Sequence, residues 1–185
     1  MSLKKFFLLS SAAMEKNKNT TLRAFRKEVG PKKRKLRRFL TKLSANVPKN
    51  ADQLTAAIEP EVWKEVDCLG CANCCKEMTP TYTPADIKRI AAHENMTADA
   101  FKEKWLYKDR EGDWMNKSTP CQFLNLSTNK CRIYEVRPAD CAGFPHLAKR
   151  KFKDYIHIHK QNVEFCPATL KMVEKLREKV ESVEL

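Results

Sequence analysis

The sequence predicts a mainly α protein with short strands and irregular loops: a small single metal-organised domain, residues 51–185, behind a basic, partly helical N-terminal extension, residues 1–50. Three observations predict it. Apolar residues recur at helical spacing near both ends of the chain, Thr83 and Thr97 stand where helix N-caps belong, and all eight cysteines fall between Cys68 and Cys166. A chain of 185 residues with 42% hydrophobic content can bury one ordinary core.

Charge marks the same division. Residues 1–50 carry 15 lysines and arginines against only Glu15 and Glu28, whereas residues 51–185 carry 21 of each sign, so the net +13 belongs to the extension. At its start Lys4 and Lys5 precede FFLLSSAA, which has the charge and small residues of a signal segment, but it contains two serines and is short. Residues 1–13 therefore read either as such a segment or as sequence ahead of a true start at Met14. No run approaches the 18 or so apolar residues of a membrane span.

Leu22, Phe25 and Val29 have helical spacing up to Gly30-Pro31, and Leu36, Phe39, Leu40 and Leu43 resume it until Val47-Pro48, which predicts two short basic helices. Lys32, Lys33, Arg34, Lys35, Arg37 and Arg38 form the densest basic run, and such a run could grip nucleic-acid phosphates or simply be a solvated helix face. Phe25 and Phe39 sit at core-facing positions, so the arm offers no aromatic platform for bases. Residues 51–66, with Leu54, Ala57, Ile58, Val62 and Trp63, read as helical turns despite Pro60.

The middle of the chain has clearer signals. Thr83-Pro84-Ala85-Asp86 combines a capping hydroxyl, proline at the first helical position and an acid in the first turn; Ile87, Ile90 and Ala91 follow at core spacing. Thr97 opens a second helix bearing Phe101, Trp105 and Leu106. Trp114 and Met115 suit a short strand, and alternation over Lys151 to His159 predicts another, with His157 and His159 on one face. The last helix begins after Cys166-Pro167, with Val173, Leu176, Val180 and Val183 as its core stripe.

The chemistry lies in the cysteines. Eight in 185 residues are too sparse for a disulfide scaffold, and C-x2-C groups within a domain that can build a core favour metal, which implies a reducing cytoplasm. Thiolates are soft ligands, and four complete a zinc tetrahedron or the iron corners of a cubane. Cys68, Cys71 and Cys74 are each three apart and can point at one centre, whereas the side chain of Cys75 is expected to diverge from that of Cys74. Cys75 then serves a second centre, joins Cys121, Cys131, Cys141 and Cys166, or stays a reactive thiol. Neither a zinc ribbon nor a bacterial ferredoxin run has this distribution. The histidines His146, His157 and His159 are conceivable extra ligands, although eight thiols require none.

The blocks CLGCANCC (68–75), PCQFL (120–124), CRIYEVRPADCAGFP (131–145) and CP (166–167) resemble the CxxCxxCC family of zinc- or iron-chelating domains, the YkgJ-type cysteine cluster proteins. The resemblance covers about residues 63–170. It implies a metal-binding domain, in a family that is mostly bacterial, whose eight cysteines coincide with the eight here. Two departures stand out: Ala72 where the family usually has glycine after the second cysteine, and Ala142 where it usually has arginine.

The expected function is chelation of zinc or iron in one or two centres, with an iron–sulfur cluster favoured by the CxxCxxC spacing. A redox enzyme or electron-transfer protein and a nucleic-acid-binding protein are the alternatives; the sequence holds no independent catalytic constellation. Arg137 is expected to donate to sulfur or a backbone carbonyl, or to pair with an acid.

Overall fold

The computed structural model describes residues 3–148 and 151–182, with side chains from residue 22 onward. The expected signal-like segment and Val183 therefore lie outside the described side chains. The chain forms two units, Met1–Cys71 with Leu147–Leu185, and Ala72–His146.

The first unit is all helical. It contains α1 (Leu3–Ala45), α2 (Ala51–Glu65), the single turn α3 (Cys68–Cys71), α8 (Phe152–Asn162) and α9 (Pro167–Glu181). Helix α1 packs on α8 and α9, and α2 packs on α9. Leu36, Leu40 and Leu43 recur at three- and four-residue spacing and are buried with Phe25, Ile58, Val62, Ile156, Leu170, Val173 and Leu176. Ion pairs flank these contacts: Lys32 with Glu174 at 2.9 Å, Lys33 with Glu164 at 2.5 Å and Lys171 with Glu65 at 2.6 Å.

Two expectations are corrected here. The break at Gly30-Pro31 does not divide the arm: α1 continues with Pro31 inside it. Proline normally forces the preceding residue out of helical geometry by colliding with its Cβ, but Gly30 has no Cβ. Burial of Phe25 before the proline and Leu36 after it then holds both halves in one helix. The missing amide and the ring still cost stability. Replacing Pro31, which is exposed, with alanine should therefore raise stability by about 1–3 kcal/mol, read as a higher midpoint in urea with unchanged slope.

The second correction concerns Lys151 to His159, which form α8 rather than a strand. Phe152, Ile156 and His159 are buried at four- and three-residue spacing, with Asn162 and Val163 buried at its end, a pattern that fits a helix face. Asp52 Oδ1 accepts the Phe152 amide at 2.8 Å and so satisfies a donor at the start of this helix.

The second unit carries the short strands. In order it contains α4 (Asn73–Glu77), β1 (Thr81–Tyr82), α5 (Pro84–His93), α6 (Ala98–Trp105), β2 (Leu106–Lys108), β3 (Trp114–Asn116), β4 (Leu124–Asn125), β5 (Lys130–Cys131), a 3-10 turn (Tyr134–Val136) and α7 (Ala139–Gly143). Strands β1, β3 and β2 form an antiparallel sheet in that order, with Tyr82 opposite Trp114 and Leu106 opposite Asn116. Strands β4 and β5 form a hairpin that sets Leu124 opposite Cys131. Tyr82, Ile87, Ile90, Phe101, Leu106, Phe123 and Ile133 make the core, with Phe101 and Phe123 stacked at 6.1 Å.

The expected starts at Thr83 and Thr97 are both present. Thr83 and Asp86 exchange hydrogen bonds as a capping box, and the Thr97 side chain accepts the Ala100 amide. Asp86 does more than cap. Its carboxylate also accepts Arg89 and the Ala139 amide at 3.1 Å, so it ties the start of α5 to the start of α7, the helix that carries Cys141.

Candidate metal centre

The eight cysteines are thiols among the described residues, with no disulfide between them. Their distribution follows the two units. Cys68, Cys71 and Cys166 belong to the helical unit, while Cys74, Cys75, Cys121, Cys131 and Cys141 belong to the other.

Short elements bring the second set together. Cys75 lies on α4, and its carbonyl accepts the Cys121 amide at 2.8 Å, which places the loop before β4 against that helix. Cys131 ends β5 and is brought back by the hairpin; Cys141 lies on α7, which contacts β1. The electrostatics report the result. Burial, with the charges of Cys75 and Cys131 added, pushes the Cys121 thiol up to about 11. Cys131 is raised by burial and by Cys75, and Cys141 by burial together with Cys75, Cys121 and Cys131. The charge of Cys75 thus bears on Cys121, Cys131 and Cys141 alike. Tyr82 lies beside them, and its phenol is raised by burial and then by Cys121, Cys141 and Cys131.

Cys75 has the opposite shift. A hydrogen bond from Cys74 is the main cause of its fall to about 7, and Lys76 assists. The two sulfurs are 3.9 Å apart. This corrects the expectation that their side chains diverge: α4 is only one turn long, and both thiols are half-buried on it.

The donor set fits a soft metal. Backbone amides donate to the sulfurs at a short offset: Phe123 to Cys121, Ile133 to Cys131, and Ala168 and Thr169 to Cys166. Such donors favour the anion, whereas burial and mutual repulsion oppose it. A divalent cation removes that opposition by supplying the missing positive charge. Among the described residues, however, no three His, Cys, Asp or Glu side chains already stand together as a closed metal site.

In the helical unit, Cys71 and Cys166 are the neighbouring pair. Cys166 is the N-cap of α9; burial raises its thiol, and the charge of Cys71 adds to the rise. Cys68 lies one turn before Cys71 on α3 and is exposed.

Ala72, between the two sets, has φ of 49°. That left-handed conformation is where glycine costs nothing and a Cβ costs about 1–2 kcal/mol. Ala72→Gly should be neutral to stabilising, by up to about 1 kcal/mol after the extra chain entropy of glycine, measured by thermal unfolding of the full chain. The position of the glycine-to-alanine departure is thus one where backbone geometry favours glycine.

The remaining candidates are placed as follows. Arg137 donates to the Tyr134 carbonyl at 2.6 Å and covers its ring at 3.8 Å, while its charge favours ionised Cys131. The His146 Nε2 lies 3.2 Å from Asp140 Oδ1, and the imidazole lies against Gly143, where a Cβ would come within 2.9 Å of it. His157 is exposed on α8, and His159 is buried, stacked on Phe152 at 5.4 Å. They share a helix, not a strand face. In the basic run, Lys32, Lys33 and Arg37 engage Glu174, Glu164 and the Lys160 carbonyl, whereas Arg34, Lys35 and Arg38 are exposed. Sequence reasoning missed Tyr82 and Asn116, whose buried polar groups lie against the Cys121 thiol; the inward-facing end of the strand after Trp114 was the available signal.

Among the described residues no helix is long and apolar enough to cross a membrane. No solved structure matches the chain. An uncharacterized protein of Methanocaldococcus jannaschii is 31% identical over 81 residues, which cover 43% of this chain and 43% of that protein. The chain thus spans less than half the length of this relative. A family model described as "CxxCxxCC: Putative zinc- or iron-chelating domain" matches residues 67–167, more than half of the chain. With all eight cysteines inside that stretch, the chain belongs to the CxxCxxCC family.

Proposed function

We propose that the protein chelates zinc or iron through its eight cysteines, and that Cys75, Cys121, Cys131 and Cys141 form the principal centre. The observation that carries this reading is that the four lie in one unit, where the Cys75 carbonyl accepts the Cys121 amide at 2.8 Å and the charge of Cys75 bears on the other three thiols. Four thiolates complete a zinc tetrahedron or hold the irons of a cluster. Bound metal supplies the positive charge that lets buried thiols ionise. The chain supplies amide donors to Cys121 and Cys131 and the nearby guanidinium of Arg137. The four thiols come from α4, the loop before β4, β5 and α7, so metal loading and the folding of residues 72–146 are coupled.

An iron–sulfur cluster is the more specific form of the proposal, since the four thiolates of this centre match the four cysteines that hold a cubane. Purification without oxygen, followed by metal and sulfide analysis, separates the forms. Iron with sulfide and a brown colour means a cluster; zinc in a colourless sample means a zinc centre. A metal-free chain that binds neither zinc nor iron would refute chelation.

A further inference from the structure

Asn116 ends β3 and is 2% exposed. Its carbonyl Oδ1 accepts two donors, the Tyr82 hydroxyl at 2.6 Å and Gln122 Nε2 at 2.9 Å. The direction of Gln122 is itself fixed, because its Nε2 also donates to the Trp105 carbonyl at 3.5 Å, a group that can only accept, while its Oε1 accepts the Ser118 hydroxyl at 3.2 Å. This chain of donors determines which end of the Asn116 amide is nitrogen: an Nδ2 in place of Oδ1 would set a donor against Gln122 Nε2. The buried Nδ2 then has no partner of full hydrogen-bond geometry. What it reaches is the Cys121 sulfur. A buried amide donor left over by two satisfied acceptor bonds is costly unless something accepts from it.

We propose that Asn116 is a positioning residue of the metal centre: its Nδ2–H donates to the Cys121 thiolate once that sulfur is metal-bound, and Tyr82, Gln122 and Ser118 hold the amide in that orientation. The inference rests on the chelation reading above. A metal-bound thiolate carries more negative charge than a thiol and accepts an N–H more strongly, so the contact tightens on loading. The hydrogen bond lowers the energy of the sulfur lone pairs. Removing it weakens metal binding by about tenfold to a hundredfold, the range for losing a partner of a metal ligand.

The test uses the full chain loaded with cadmium-113 under reducing conditions. The expected result is a scalar coupling between the bound cadmium and a side-chain amide proton of Asn116, transmitted through the sulfur hydrogen bond. Bound cadmium with the Asn116 protons uncoupled would overturn the donor role while leaving chelation intact. Failure to bind cadmium, cobalt, zinc or iron would remove the chelation reading and this inference with it. In cobalt-loaded Asn116→Ala that retains its fold, the sulfur-to-cobalt charge-transfer band should move to longer wavelength. An unmoved band with unaltered cobalt affinity would also overturn the proposal. The cadmium coupling in the unmodified chain decides the matter where that variant does not fold.

Discussion

Asp86→Ala should destabilise the protein by about 3–5 kcal/mol, the loss for stripping one partner from a buried, charged hydrogen-bond network. Asp86 is 1% exposed, and its carboxylate gathers four donors. Oδ2 accepts the Thr83 amide at 3.0 Å and hydroxyl at 2.7 Å; Oδ1 accepts Arg89 at 2.5 Å and the Ala139 amide at 3.1 Å. Alanine leaves these groups without their acceptor and unfastens α7 from α5. Asp86→Asn should cost less, about 2 kcal/mol, since the shape survives but one acceptor becomes a donor facing donors. Denaturant unfolding of both variants measures the order.

The same residue makes stability depend on acid. Burial pushes the carboxyl up, but the bonds from Thr83, Arg89 and Ala139 outweigh it and hold it below the ordinary carboxylate value. A depressed folded pKa contributes stability that is fully present above the unfolded value near 4 and is lost as pH falls through the folded value. Unfolding midpoints of the wild type should therefore decline in that acid range, and Asp86→Ala should lack this part of the decline.

Metal removal is the second large effect. A chelator strong enough to empty the centre should lower stability by roughly 4 kcal/mol or more, the linkage expected when the metal is present at a thousand times its dissociation constant. The loss should appear first in residues 72–146, as earlier hydrogen exchange of the β1, β2 and β3 amides. Binding should also release protons. With Cys75 near 7 and Cys121, Cys131 and Cys141 raised, loading four thiols at pH 7 frees roughly three to four protons per metal. Calorimetry in buffers of different ionisation enthalpy counts them, and affinity must fall as pH falls.

Legibility in the sequence tracked how local each determinant is. The caps at Thr83 and Thr97 were legible because each is made by residues three apart. The final helix was legible because a proline after Cys166 and a regular apolar stripe agree. Gly30-Pro31 misled because a proline signal is read singly, whereas the missing Cβ before it and the core contacts on either side restore the helix. Lys151 to His159 misled because its apolar residues satisfy both a two-residue and a helical period, and the choice was made by burial against distant helices. The cysteines were legible as the mark of a zinc- or iron-chelating domain and illegible as a grouping. Spacing left three places open for Cys75, a second centre, the downstream thiols or a reactive thiol; its backbone bond to Cys121, 46 positions away, is a contact that no local pattern announces. Asn116 carries no motif at all, and its importance comes from a hydroxyl on β1 and an amide before β4.

The assignment of Cys75 to the downstream thiols is the core of this account. X-ray absorption at the metal edge, on full-length protein purified without oxygen and on Cys75→Ser, tests it most directly. The account predicts close to four sulfur ligands per metal in the wild type, at about 2.3 Å if the metal is zinc. In Cys75→Ser the mean sulfur count should fall as an oxygen or nitrogen takes the vacated position, or one equivalent of metal should be lost. A serine variant with the same metal content and the same sulfur count as the wild type would contradict it.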